Sequence, residues 1–355
     1  MIEKNEFNIK KFHKYSNLTK KNKNNHIYKI LYLITLFLIA ILIFINNENN
    51  NNNNNKLQKE IENEIIKNID KIIPIQNNFT LDDVKKDFEN IVNKYKYLIK
   101  KEKNIKENCP IWTMWYQGIE AAPPIVRSCI QSIIENRAKH PVIIITKYNI
   151  DKYIKLPYYI MEKFNKNIIT VTHFSDIVRI ALLFKYGGYW IDPTYLITTP
   201  ITKVVRTFDT LHLDYCFTNS HPFVKCIWTV NYMAVGKNSF IAAFAYHALF
   251  FYLKKYNYII DYYLLDYIIH IAYYNVQEFK NNIDRIPYLV CDIFLLLYKL
   301  NSEYNKVNVC HYNKLNRREF FPIVHQYNIT SHYDYIIERY RFDFQNKNKD
   351  YILNI

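Results

Sequence analysis

Two short segments joined by a double glycine carry the residues whose types and spacing could do chemistry. Asp176 and Arg179 are three positions apart on a predicted helix, so they share one face near an N-terminus that favours anions. Asp192 follows an apolar strand, and Thr194 adds a second oxygen two residues later. Such a pair of oxygens suits a hard divalent cation, which commonly completes its shell with substrate phosphates. Taken singly, the first pair reads as a helix ion pair and the second as an Asp-Pro turn, but their close spacing favours a joint site.

The surrounding pattern alternates strands and helices, which predicts βαβ units and a mostly parallel sheet flanked by helices. The predicted strands are residues 111–115, 142–146, 168–171 and 189–191, and the predicted helices begin at Pro124, after Pro157 and at His173. The last helix is expected to end at Gly187 and Gly188, because glycine readily takes the backbone conformation that ends a helix. Residues 239–256 and 261–274 predict an added helical part. Ligands of such sheets bind at the carboxyl ends of the strands, where Asp192 lies.

Composition excludes several classes of site. The chain has 355 residues and only four glycines, which leaves no P-loop and no dinucleotide fingerprint. Its six cysteines are too scattered for a zinc knuckle or a redox pair. The formal charge of +15 raises the alternative of a nucleic-acid or basic membrane-surface protein. Much of that charge lies before residue 30, and a chain rich in Lys and Asn acquires it by composition, so we expect no nucleic-acid partner.

Six motifs in order resemble one family, the capsular polysaccharide synthesis type of glycosyltransferase. This family is related to Och1-like mannosyltransferases and to clostridial-toxin glucosyltransferases. The motifs are Ile111-Trp-x-x-Trp-x-x-Gly118, Pro123-Pro124, Cys129-x-x-Ser132, Tyr153-Ile-x-Leu-Pro157, His173-x-Ser-Asp-x-x-Arg179 and Tyr186-Gly-Gly-x-Trp-Ile-Asp192-x-Thr194. The resemblance covers about residues 109–320, with Lys314-Leu315 as a fainter match near its end.

The resemblance implies a GT-A fold that moves a hexosyl or N-acetylhexosaminyl group from a nucleotide-sugar, with a UDP-sugar favoured. It implies retention of anomeric configuration and an Mn²⁺ or Mg²⁺ ion on the donor diphosphate. Asp192 matches the first aspartate of the family's DxD motif, but Thr194 stands where the second carboxylate would be. Thr194 offers only a neutral oxygen, so metal affinity should fall. His325 is a candidate third ligand; the alternative is that it is an ordinary histidine of a surface loop.

The same resemblance implies the remaining site residues. Asp192, Arg179 and Asp176 are expected to be catalytic. The donor and its nucleotide are expected to contact a set of aromatic, polar and glycine residues: Trp112, Trp115, Ser175, Asp176, Arg179, Gly187 and Gly188. Either Trp112 or Trp115 would stack near the nucleobase.

The first 45 residues predict a membrane anchor. Residues 1–29 form a basic cytosolic tail, and residues 30–45 form an apolar segment close to the length of a spanning helix. By the positive-inside rule this is a type II signal anchor with the catalytic domain in the Golgi or ER lumen; a cleaved signal peptide is the weaker alternative.

An Asn-rich spacer and a helical stem, residues 46–108, are expected to follow the anchor. Thr80 and Asp83 form a capping-box pattern at the start of the second amphipathic stripe. The stem either supports a homo-oligomer or is two helices packed on the main domain, and the stripes do not decide between them. The enzyme domain is expected at residues 109–345, with a polar tail at 346–355.

A second function remains open beside the enzyme. A non-catalytic descendant of the fold would bind a glycan or nucleotide-sugar without turnover, and the missing second carboxylate at Thr194 is the feature that supports it. The partners of the enzyme would be a nucleotide-sugar, a glycan acceptor and the membrane.

Overall fold

The structure, a computed structural model, describes residues 79–201, 206–213, 222–223, 226–316 and 330–344. These residues belong to one compact unit, Asn77–Ile355. The predicted tail, anchor, spacer and first amphipathic stripe lie outside the described residues, as do His325 and the tail at 346–355. Across the described part of the chain, no helix combines the length and apolarity needed to cross a membrane.

The strands and helices alternate through the first half of the unit and become mainly helical in the second. The strands are β1 (Ile111–Met114), β2 (Val142–Ile145), β3 (Gly188–Ile191), β4 (Tyr195–Ile197), β5 (Phe208–Thr210), β6 (His212–Leu213), β7 (Tyr232–Val235), β8 (Tyr288–Leu289) and β9 (Tyr312–Lys314). The helices are α1 (Leu81–Tyr95), α2 (Pro124–Glu135), α3 (Ile150–Tyr153), α4 (Tyr158–Asn165), α5 (Val171–Tyr186), α6 (Phe240–Lys255), α7 (Leu264–Asn275), α8 (Gln277–Asp284), α9 (Leu295–Lys299) and α10 (His332–Arg339). Short 3₁₀ turns lie at Lys96–Lys101, Ile119–Ala121 and Lys306–Asn308.

The main sheet has five strands in the order β2-β1-β3-β7-β5. β1 pairs in parallel with β2 and β3, as the βαβ pattern predicts. β7 is antiparallel to both β3 and β5, so the sheet is mixed, and four of its five strands run in one direction. The reversal follows from where the chain enters β7: the Asp192 N–H donates to the Asn231 carbonyl at 2.9 Å, so β7 starts at the end where β3 stops.

Helices cover both faces of the sheet. Side chains alternate across each strand, so each face has apolar residues that helices must bury. Trp112 of β1 and Trp190 of β3 lie in the core that also contains α5, α6 and α7. Tyr189 and Ile191 lie in the opposite core, against α2. The described part of the unit is therefore a three-layered mixed α/β fold with helices on both faces of the sheet.

The predicted strand at 168–171 is not a strand. Asn167, two residues beyond the end of α4, has a positive φ of 57°, and Thr170 already caps α5 by accepting the His173 N–H on its hydroxyl. Only two residues lie between these two positions, which is too few for a strand. The apolar character of the segment instead reflects burial of Ile169 in the core.

Helix α1 is packed on the domain, so for this helix the structure supports the second of the two alternatives. The capping box at Thr80 and Asp83 is present. Phe88 is fully buried, and its ring centroid lies 6.2 Å from that of Tyr252 on α6. Just beyond α1, the carboxylate of Glu102 accepts the N–H of Phe240 at 2.7 Å and so caps α6. Residues 81–102 thus belong to the globular unit and not to a free-standing stem.

Candidate functional site

Asp192 lies at the carboxyl end of β3, where the sheet opens and ligands of α/β proteins bind. Its Oδ1 accepts the indole N–H of Trp190 at 2.8 Å, two residues earlier on the same strand. This local hydrogen bond, together with the backbone bond to Asn231, fixes the direction of the carboxylate.

Helix α5 brings the second half of the site to Asp192. Arg179 Nη2 donates to Asp192 Oδ1 at 3.0 Å, and Arg179 Nη1 lies 2.9 Å from Asp176 Oδ1. The guanidinium also lies 5.0 Å from the Trp190 ring centroid, a cation–π distance. The predicted i,i+3 pair is therefore present, and its buried arginine joins two carboxylates from different elements.

The double glycine permits the close passage from α5 into β3. Gly187 has φ of 70° and Gly188 has φ of 97°, a region where side chains are strained. A Cβ on Gly188 would lie 2.3 Å from the carbonyl oxygen of Pro110 on the neighbouring segment. Both glycines thus shape the backbone that presents Asp192.

Lys314 is the site residue that sequence reasoning missed as a functional group. Its ammonium donates to Asp192 Oδ2 at 2.9 Å and to Thr194 Oγ1 at 2.7 Å. It arrives because β9 pairs antiparallel with β4, with Lys314 opposite Tyr195. The faint Lys314-Leu315 motif match was the one signal available, since 122 residues separate this lysine from Asp192 in sequence.

The two carboxylates of the site have opposite electrostatic character. Burial raises the pKa of Asp192, but the neighbouring charges of Lys314 and Arg179 and the Trp190 hydrogen bond outweigh it, so the pKa lies below its ordinary value. Burial also raises the pKa of Asp176, to about 6, against the attraction of Arg179. The charges around Asp192 thus favour its ionised form, whereas burial favours the protonated form of Asp176.

A third carboxyl, Asp266 on α7, lies near this cluster and was not expected. It accepts a hydrogen bond from the Trp228 indole N–H at 3.2 Å and is nearly fully buried. Burial and the nearby charge of Asp176 raise its pKa to about 7. The available signal was an acidic residue within an apolar helical run.

The two predicted tryptophans have different environments. Trp112 is fully buried, and its indole N–H donates to the Gly187 carbonyl at 3.0 Å. It has no ring face free for a nucleobase, so it belongs to the core and that part of the expectation is corrected. Trp115, directly after β1, is only half-buried, and its indole nitrogen has no hydrogen-bond partner among the described residues. Ser175 is half-buried in the second turn of α5, beside Asp176.

The predicted metal ligands do not form an open cation site. The Lys314 ammonium bridges Asp192 and Thr194, the positions where a metal would need free oxygens. The described ranges contain no group of three or more His, Cys, Asp or Glu side chains suited to a metal ion. His325, the third predicted ligand, lies outside the described residues. The donor set as described therefore does not fit a divalent cation unless Lys314 moves away.

Comparisons with known proteins place this geometry in context. A family model described as "Capsular polysaccharide synthesis protein" matches residues 60–340. No curated protein matches the chain significantly. One similar solved structure is the PaToxG Glycosyltransferase, at 15% identity, covering 56% of this chain and 80% of that chain with a TM-score of 0.36.

Proposed function

Because the chain belongs to the capsular polysaccharide synthesis protein family, we propose that it is a glycosyltransferase that moves a hexosyl or N-acetylhexosaminyl group from a nucleotide-sugar to a glycan hydroxyl. A UDP-sugar is the favoured donor, and the anomeric configuration is retained. The observation that carries the proposal is the buried Arg179, held between Asp176 and Asp192 at the carboxyl end of β3.

A GT-A fold is part of this proposal. Its support is the βαβ order of β1, α2 and β2, and the position of Asp192 directly after β3. The buried helices α6 and α7 supply the added helical part.

The chemistry we propose is electrostatic. The bond from the anomeric carbon to the diphosphate oxygen breaks while the bond to the acceptor oxygen forms on the same face, and the diphosphate takes the hydroxyl proton. Negative charge therefore grows on the departing nucleoside diphosphate. Arg179 and Lys314 are cations already fixed in position, so they stabilise that charge without reorganising during the reaction. Holding the acceptor hydroxyl beside the donor reduces the entropy cost of the step.

We propose the Golgi or ER lumen as the compartment and residues 30–45 as a type II anchor. One observation supports an oxidising compartment: Cys291 and Cys310 form a disulfide, and such bonds persist in secretory lumens. Cys109 and Cys129 are buried free thiols. Self-association through residues 57–72 and a glycan as the acceptor remain predictions.

The testing experiment uses the full chain purified in detergent and a panel of UDP- and GDP-sugars. We expect hydrolysis of one donor class, and transfer when a glycan acceptor is added. Asp192→Asn should lower kcat/KM about a hundredfold or more, because it removes the anchor of both cations. Asp151→Asn, at an exposed aspartate on α3, is the matched control and should leave the rate unchanged.

Two results would contradict the proposal. Donor binding without hydrolysis or transfer, even with glycan acceptors present, would indicate the non-catalytic alternative. Failure to bind any nucleotide-sugar would leave the family membership without this activity.

A further inference from the structure

We propose that the ammonium of Lys314 takes the place of the divalent cation, so that this chain binds its donor diphosphate without a metal ion. This inference rests on the proposed function for the identity of the ligand. Its own basis is the disagreement between the predicted metal ligands and the geometry around Asp192 and Thr194.

Lys314 contacts the two residues that were expected to hold a metal. Its Nζ lies 2.9 Å from Asp192 Oδ2 and 2.7 Å from Thr194 Oγ1, so one ammonium spans the whole Asp-Pro-Thr motif. An ammonium has three N–H donors, and these two contacts use two of them within the described part of the chain. The third can donate to a ligand oxygen. Thr194 gains a reason for its identity, because its hydroxyl oxygen accepts a hydrogen bond from the ammonium.

The backbone holds Lys314 in this position. The β4–β9 ladder and two further backbone hydrogen bonds fix its segment. The Lys314 N–H donates to the Ile293 carbonyl at 2.7 Å, and the Leu315 N–H donates to the Thr194 carbonyl at 2.9 Å. The ammonium also lies 5.0 Å from the Tyr195 ring centroid. The side chain is only 16% exposed, so it is not a free surface lysine.

The site already holds two cations. Arg179 and Lys314 both contact Asp192, and Asp176 is the second acidic side chain beside Arg179. A divalent cation bound by Asp192 would lie beside two cations, with a single carboxylate among the expected ligands. A donor diphosphate, by contrast, brings negative charge to two cations that already face the same carboxylate.

The test compares nucleotide binding and metal binding by the full chain in detergent, separately. UDP affinity is measured by calorimetry in excess EDTA and again with Mn²⁺. Mn²⁺ binding is measured without nucleotide, from loss of the free-ion electron paramagnetic resonance signal, because UDP itself binds Mn²⁺ in solution. The variants are Lys314→Met, Lys314→Arg and Asp192→Asn, and Lys299→Met at an exposed lysine of α9 is the matched control.

We expect the wild-type chain to bind UDP equally well in EDTA and in Mn²⁺, and to show no saturable Mn²⁺ binding. Lys314→Met should weaken UDP binding in EDTA by about ten- to a hundredfold, because charge-assisted hydrogen bonds are lost. Lys314→Arg should retain part of the affinity, and Lys299→Met all of it. Unfolding temperatures of the variants identify any loss that reflects misfolding, and Lys314→Arg keeps the test valid if Lys314→Met is unstable.

The inference is overturned if the wild-type chain binds Mn²⁺ saturably, loses that binding in Asp192→Asn, and binds UDP only when Mn²⁺ is present. If no nucleotide binds under any condition, the proposal of a nucleotide-sugar donor is wrong. The Mn²⁺ measurement still decides whether Lys314 takes the place of the metal. In that case saturable Mn²⁺ binding that needs Asp192 contradicts the inference. Mn²⁺ binding that appears only in Lys314→Met upholds it.

Discussion

Replacing Asp266 by Asn should make the protein more stable, and increasingly so as the pH rises. Asp266 is buried on α7 and accepts a hydrogen bond from the Trp228 indole N–H. An asparagine has the same shape and keeps a carbonyl oxygen for that bond. The substitution therefore removes a charge from the core while preserving the packing around it.

The magnitude follows from the difference between the folded and unfolded titrations. Burial, with the nearby charge of Asp176, raises the pKa of Asp266 from its ordinary 3.8 to about 7. The folded state holds its proton more tightly, so the contribution of Asp266 to stability is complete below pH 3.8 and is lost as the pH rises through 7. At about 1.4 kcal/mol per pH unit, full ionisation costs the folded state about 4 kcal/mol. Between pH 5 and pH 8 the advantage of Asp266→Asn should therefore grow by about 3 kcal/mol.

The assay is thermal unfolding of wild-type and Asp266→Asn chains at matched pH values from 5 to 8, followed by tryptophan fluorescence. The gap between their unfolding temperatures should widen by about 6–12 °C over this range. Asp151→Asn, which neutralises an exposed carboxyl, should show no widening. A gap that stays constant with pH would refute the reasoning, because it would mean that Asp266 is ionised to the same extent in the folded and unfolded states.

Three further predictions concern the core, the turn and the nucleotide. Phe88→Ala should lower the free energy of unfolding by about 3–5 kcal/mol in urea titrations, since Phe88 is fully buried; no loss would return α1 to a separate stem. Gly188→Ala should cost about 2 kcal/mol or more, because its Cβ would meet the Pro110 carbonyl at a positive φ; unchanged melting would contradict this. Trp115→Ala should weaken UDP binding about tenfold in calorimetry, because base stacking is lost. Trp112→Phe should lower the unfolding temperature and leave UDP affinity unchanged. If Trp112→Phe weakens UDP binding and Trp115→Ala does not, Trp112 is the residue that contacts the nucleobase.

Features encoded by neighbouring residues were predictable from the sequence. The capping box at Thr80 and Asp83 needs only a four-residue motif. The shared face of Asp176 and Arg179 follows from helical spacing, and the end of α5 follows from the double glycine. Asp192 could be placed at a strand end because an apolar strand directly precedes it.

Features that depend on distant pairing were not predictable from the sequence. β7 begins about forty residues after Asp192, and no hydrophobic periodicity in the sequence between them indicates the direction of that strand. The apolar segment before Thr170 has the composition of a strand, but it is buried as a turn because α4 and α5 leave no room for one. Whether Trp112 is buried in the core or open to a ligand depends on the side of β1 that α5 covers. That choice is made by tertiary packing and not by the residue itself.

Asp192 has a more specific task than its motif suggests. A metal ligand needs free oxygens, yet both oxygens of Asp192 accept hydrogen bonds, from Arg179 and Trp190 on one and from Lys314 on the other. These donors come from the helix before β3, from β3 itself and from β9, so folding alone brings two cations to one carboxylate. Their mutual repulsion is offset before any donor arrives, and the cost of ordering two long side chains is met during folding and not during binding. Neutralising Asp192 should therefore release both cations at once, which is why we expect its substitution to harm nucleotide binding and turnover together.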